Sequence, residues 1–210
     1  MLSTKRRSAA ARALFTGYCR YRHHGIYTVA TGRDLQIVSI PGIVLAGSIT
    51  SADKLATMRR HGASTSLRKV VYIPAAGPDV CREFVFWHEL AHDLLHVAGA
   101  QSDSNLPTLK GQEYHPDDWE WEWWCDKFAY LMVMYQAGIE LLPSLSTGYR
   151  AFFEADPHRL REMQEKSTRQ PLNLLIRSQI AEHLEKYKDK LDHEKEFGLL
   201  MLMSAILEHN

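Results

Sequence analysis

Cysteine is scarce in this chain: Cys19, Cys81 and Cys125 are the only three in 210 residues, and no two form a CxxC pair. Three scattered thiols make no disulfide framework, so a reducing, cytoplasmic setting is expected. Net charge is also lacking, because 25 Lys and Arg residues balance 25 Asp and Glu residues. No global basic field is available to hold a polyanion, which argues against direct nucleic-acid binding. Long apolar runs are missing too. The longest, 199–207, contains Ser204 and is roughly half the ~20 residues a membrane-spanning helix needs, so no membrane partner is expected. Arg12 interrupts the apolar stretch 9–15, which leaves no h-region for a secretory signal.

Acidic residues are absent before Asp34, although Lys5, Arg6, Arg7, Arg12, Arg20, Arg22 and Arg33 all precede it. The plain reading is a solvated basic helix face. An arm toward nucleic acid or an acidic partner, and an organellar targeting segment, are the other readings of such a composition. Internal repeats and low-complexity linkers are also absent.

What the sequence does have is enough apolar content, 45%, for one well-cored domain or a domain with a helical appendage. Residues 4–23 predict a helix ending before Gly25, with Gly17 as a weak point. Two β-rich runs, 26–30 and 35–40, are separated by Thr31-Gly32-Arg33-Asp34 in the manner of a hairpin. Thr50 or Ser51 would cap a short helix ending near Gly62, and 69–73 reads as a further strand. The turn around Gly77 and Pro78 leads into a helix over 78–98 that Gly99 terminates. The polar stretch 99–116 reads as a long loop over the site. Asp117 to Glu120 has the form of a capping box, with Glu120 at its third helical position, and its helix stops at Gly138. Beyond Pro143 the pattern is helical, with one segment opening at Asp156-Pro157 and another at Pro171 that continues through the charge-rich stretch 182–196. Residues 1–142 are therefore expected to form the main domain and 143–210 a helical C-terminal region.

Chemistry concentrates at Trp87-His88-Glu89-Leu90-Ala91-His92, an HExxH pattern inside a segment already read as helical. Residues four apart on a helix lie about 40° apart and roughly 6 Å along the axis, so both imidazoles can meet one ion. Glu89 borders the same face, where its carboxylate can reach a water on that ion. The helix is apolar nearly all round, so these polar groups need partners, and zinc is the simplest one. Leu95 and Ala98 stand where a metzincin would need Gly and His. His96 lies a further turn along, suited to an outer, supporting place rather than to the ion itself.

A third ligand is expected from the helix that starts near Asp117, where Glu122 and Asp126 are four apart. Glu122 can bind zinc, while Asp126 can accept a hydrogen bond from a ligand imidazole and fix its tautomer. Glu120 and Glu122 point about 160° away from each other, so only one of them can face the ion. Trp119, Trp121, Trp123 and Trp124 read as packing residues. Tyr114, His115, Tyr130, Tyr135 and His158 are the candidates for stabilising an oxyanion.

Lys69-Val-Val-Tyr-Ile-Pro74, the HELAHDLLH run and Glu122-Trp-Trp-Cys-Asp126-Lys-Phe128-Ala129 together resemble the ImmA/IrrE family of zinc metallopeptidases, over roughly residues 26–137. Cys125-Asp126 stands where that family usually has Ala-Asn, and no proline follows Met134, but neither departure removes a ligand. The resemblance implies a gluzincin-like site with His88, His92 and Glu122 as ligands and Glu89 as catalytic base. It also implies cleavage of a few intracellular protein targets, often transcriptional repressors, with some members acting as toxins. The expectation is thus an α+β zinc metalloendopeptidase with a small sheet packed on the zinc-bearing helix pair and a mostly helical C-terminal part. Two alternatives remain: a regulatory protein that keeps zinc for structure and acts by contact, and a zinc amidase or deacylase acting on a small molecule. Glu89 argues against the first, since a structural site has no use for a base.

Overall fold

A computed structural model of the chain describes residues 3–41, 48–49, 69–99, 116–141 and 170–208. Among the described residues there are six helices and three strands, a mostly helical α+β arrangement. Helix α1, Thr4–Tyr21, begins at Ser3, whose side chain accepts a hydrogen bond from the Arg6 amide at 3.4 Å. Ala10, Ala11, Leu14, Gly17, Tyr18 and Tyr21 form its buried stripe at helical spacing. Gly17 is more than a weak point in that helix. A Cβ there would lie 2.6 Å from Leu94 Cδ1 and 3.5 Å from Phe128, so the missing side chain is what lets α1 lie close to the two central helices. Gly17→Val should therefore destabilise the protein by about 1–3 kcal/mol through overpacking, which outweighs its better helix propensity. Denaturant unfolding of the variant checks this, and a midpoint at or above wild type would refute it.

Residues 26–30 are not a strand. Ile26–Gly32 form helix α2, with Gly25 as its N-terminal cap residue. In a strand Tyr27 and Val29 would share a face, yet Tyr27 is 68% exposed and Val29 only 3%. Burial at 26, 29 and 30 instead follows the helical period, and the stripe packs toward strand β1 and helix α3. The expected hairpin turn is the end of this helix, where Asp34 takes a φ of +53° that sends the chain into β1.

Strand β1, Leu35–Ile40, pairs in parallel with β3, Lys69–Pro74, with Leu35 opposite Lys69 and Ile40 opposite Pro74. The two-residue β2, Ser48–Ile49, pairs antiparallel on the other edge of β3, giving the order β1-β3-β2. The expected helix over 50–62 falls outside the described residues.

From β3 the chain turns through Gly77, φ +100°, into α3, Asp79–Val97, which ends at Gly99 with φ +64°. Both limits match the sequence reading. Helix α4, Pro116–Gln136, packs along α3 and ends at Gly138, φ +88°, where the Ile139 amide bonds back to the Met134 carbonyl at 2.9 Å. Its start differs from the capping-box reading. With Pro116 as the first helical residue, Glu120 sits past the third position, and its carboxylate accepts two hydrogen bonds from Arg7 of α1, at 2.5 and 3.0 Å.

The C-terminal stretch is a helical hairpin rather than one helix through 182–196. Helix α5, Gln170–Tyr187, gives way to a 3₁₀ turn, Lys188–Lys190, and then to α6, His193–Glu208. Asp192 makes the restart, because its carboxylate accepts the Lys195 amide at 2.9 Å in the manner of an N-cap. Leu199, Leu202 and Ile206 are buried on α6, which packs against α5 and α3, and Gly198 lets it approach Val80 closely. No helix among the described residues is long and apolar enough to cross a membrane.

Candidate metal centre

Helix α3 is buried over almost its whole middle, from Phe84 to Asp93, so its polar groups face protein rather than water. His88 and His92 both turn toward α4, and Glu122 of α4 turns toward them. The two Nε2 atoms are 3.2 Å apart. His88 Nε2 lies 3.1 Å from Glu122 Oε2, and His92 Nε2 lies 3.4 Å from Glu122 Oε1. Ligand atoms about 2.0–2.1 Å from a tetrahedral zinc are roughly 3.3–3.4 Å from one another. The His88–His92 separation agrees with such an edge length, while the two Glu122 separations run to different oxygens of its carboxylate; one ligand atom from each residue lies within 4.8 Å of the others. Among the described residues these three form the His, Cys, Asp and Glu group that could hold a metal ion, and all three are buried.

The outer contacts fit the same picture. Asp126, one turn beyond Glu122, lies with Oδ1 2.7 Å from His88 Nδ1. A proton on Nδ1 donated to that carboxylate leaves Nε2 as the nitrogen turned toward Glu122 and His92, and the one that would offer its lone pair to a cation there. Glu122 and Asp126, four apart on α4, thus both meet His88.

Charges in this site are strongly coupled. Burial alone would lower the pKa of His88, but the Asp126 and Glu122 carboxylates outweigh it and push the imidazole up to about 10. His92 is likewise lowered by burial but raised overall, chiefly by Glu122, with a smaller contribution from the charge of Glu89. Burial would raise Glu122, yet the two imidazoles hold it well below the usual carboxylate range. Without a metal ion the cluster is therefore held together by protons on histidine. That contribution is fully present below the unfolded histidine pKa and is lost as pH rises through the raised folded values. A cation at the same spot would replace those protons.

Glu89 is buried in the same turn as His88, three residues before His92. His96 is half-buried in the last turn of α3, one turn past His92 and outside the three-residue group. Of the oxyanion candidates, Tyr130 bonds to His183 of α5 and Tyr135 to His23, the latter at 3.0 Å. They stand about 12 and 20 Å further along α4 than Glu122, by the rise of a helix. Tyr114, His115 and His158 lie outside the described residues, as does most of the 99–116 stretch. Trp121, Trp123 and Trp124 are buried packing residues, as read from the sequence.

Sequence reasoning missed Asp93, the residue after His92. Its buried carboxylate is shared by Arg33, at the end of α2, and Lys69, at the start of β3. The signal was available, because a carboxylate within an otherwise apolar helix must find a partner. Nothing in one sequence says which cations supply it.

A scan against protein-family models, a search of curated proteins and a search of solved structures each give no match.

Proposed function

We propose that this chain is a zinc-dependent endopeptidase of the ImmA/IrrE kind, acting in the cytoplasm on an intracellular protein, with a DNA-binding repressor as the favoured type of target. The observation that carries the reading is the convergence of buried His88, His92 and Glu122, with one ligand atom from each within 4.8 Å of the others, and with Asp126 on the far nitrogen of His88. The family assignment rests on the sequence motifs, which the placement of these four residues supports.

His88, His92 and Glu122 would hold the ion. When bound, zinc supplies Lewis acidity, which makes a water easier to deprotonate and a carbonyl easier to attack. The rest is done by the chain. Glu89 takes a proton from the attacking water and passes it to the departing amine. Asp126 keeps the Nδ1 proton of His88 and so fixes its tautomer. The buried, apolar surroundings of α3 strengthen each of these charge interactions.

Metal content tests the proposal. Protein prepared without chelator should hold about one zinc per chain, and His88→Ala should lose it. Because zinc must displace protons from histidines of raised pKa, affinity should weaken on acidification, about tenfold per pH unit for each proton displaced, across the range below those pKa values. Wild-type protein that binds no zinc in a chelator-competition titration would refute the reading, and an affinity flat between pH 6 and 8 would refute the protonated histidine cluster.

A further inference from the structure

Helix α3 must present two imidazoles to one point, and that demand falls on its rotation about its own axis. Ligand nitrogens stand roughly 6 Å from the axis, so a turn of about 10° moves each by about 1 Å. Metal sites tolerate errors of about 0.2 Å. At the level of His88, the contact with Asp126 of α4 resists such a turn. At the level of His92, one residue on, Asp93 is held by Arg33 and Lys69 from the opposite flank. Asp93 and His88 are about 140° apart around the helix, so the two contacts grip it from different sides.

A buried carboxylate between two cations adds little to stability that a well-packed apolar residue could not supply. The Asp93 side chain is 4% exposed, while Arg33 and Lys69 are 20% and 27% exposed and reach water as well. Arg33 is itself fixed, donating to the Tyr21 hydroxyl at 2.8 Å. The cluster therefore ties α3 to α1, the end of α2 and the first residue of β3.

We propose that Asp93 is a positioning residue for the metal centre: through Arg33 and Lys69 it sets the rotation of α3, so that His92 meets the ion held by His88 and Glu122. This rests on the zinc reading above. It makes metal affinity, and not only stability, depend on a contact that includes no ligand.

Asp93→Leu and Lys69→Met test it, each assayed at a temperature where circular dichroism shows the zinc-free variant folded. Zinc affinity, by chelator competition, should fall about 10- to 100-fold in both. The visible absorption of bound cobalt, which is intense in tetrahedral geometry, should weaken or shift. A purely structural role predicts a lower melting temperature with wild-type zinc affinity and an unchanged cobalt spectrum in the folded variant, and that result overturns the assignment. If Asp93→Leu does not fold, Lys69→Met decides by the same two readings. Failure of the wild-type chain to bind zinc is a separate result, which removes the metal reading itself and this assignment with it.

Discussion

Glu89→Gln should keep its zinc and its fold while losing peptide cleavage by a factor of about 10²–10⁴. The substitution keeps the shape of the side chain and removes only its ability to accept a proton. Glu89 is buried on α3 between the two histidines in sequence and is not one of the three converging groups. Its negative charge is a minor influence raising the pKa of His92, and the same weak field would favour a cation there, so removing it should lower zinc affinity only slightly. Zinc content, circular dichroism and turnover of a quenched peptide library, measured on one preparation, separate these effects. Cleavage at the wild-type rate would exclude Glu89 as the base. Loss of zinc together with activity would make it a ligand.

Glu122→Ala should weaken zinc binding by more than about 100-fold, since removing a direct ligand exceeds the 10- to 100-fold typical of supporting residues. Glu120→Ala should leave the metal in place and cost about 1 kcal/mol of stability, because Arg7 remains partly solvated when its partner is removed. The two glutamates are buried two residues apart on one helix, and the difference between them is direction: Glu122 meets His88 and His92, Glu120 meets Arg7. The cost at Glu120 is expected from its inter-helix ion pair with Arg7. Zinc titration and urea unfolding of both variants decide the matter. Metal loss in Glu120→Ala with retention in Glu122→Ala would reverse the assignment.

The candidate metal centre, the cluster of His88, His92 and Glu122, was legible because its geometry is local to two helices. Spacings of four within α3 and within α4 fix which side chains share a face, whatever the rest of the chain does. Gly99 and Gly138 marked the ends of both helices because a left-handed residue after a helix carries a sequence signature. Elements whose form depends on what they touch were harder. Residues 26–30 contain β-branched and aromatic residues that suit a strand, and only the surface offered by β1 and α3 makes them helical. The break at 188–192 was hidden because a charged helix face and a charged turn look alike in composition, although Asp192 with an amide three residues on was a readable cap. Pairings such as Asp93 with Arg33 and Lys69 join three separate elements, and periodicity carries no information about them.

The acid-free segment before Asp34 is balanced from a distance. Arg7, Arg22 and Arg33 find their carboxylates in Glu120, Glu140 and Asp93, which lie 113, 118 and 60 positions further along the chain. During synthesis these arginines emerge long before their partners do, and they have no acid of their own segment to pair with meanwhile. Docking of α1 onto α4 therefore closes loops of 113 positions or more, as does packing of α6 onto α3, and both belong late in the assembly of the described residues. The helix that is first in the chain is thus among the last to find its place, and the α3–α4 pair that carries His88, His92 and Glu122 can form before it arrives.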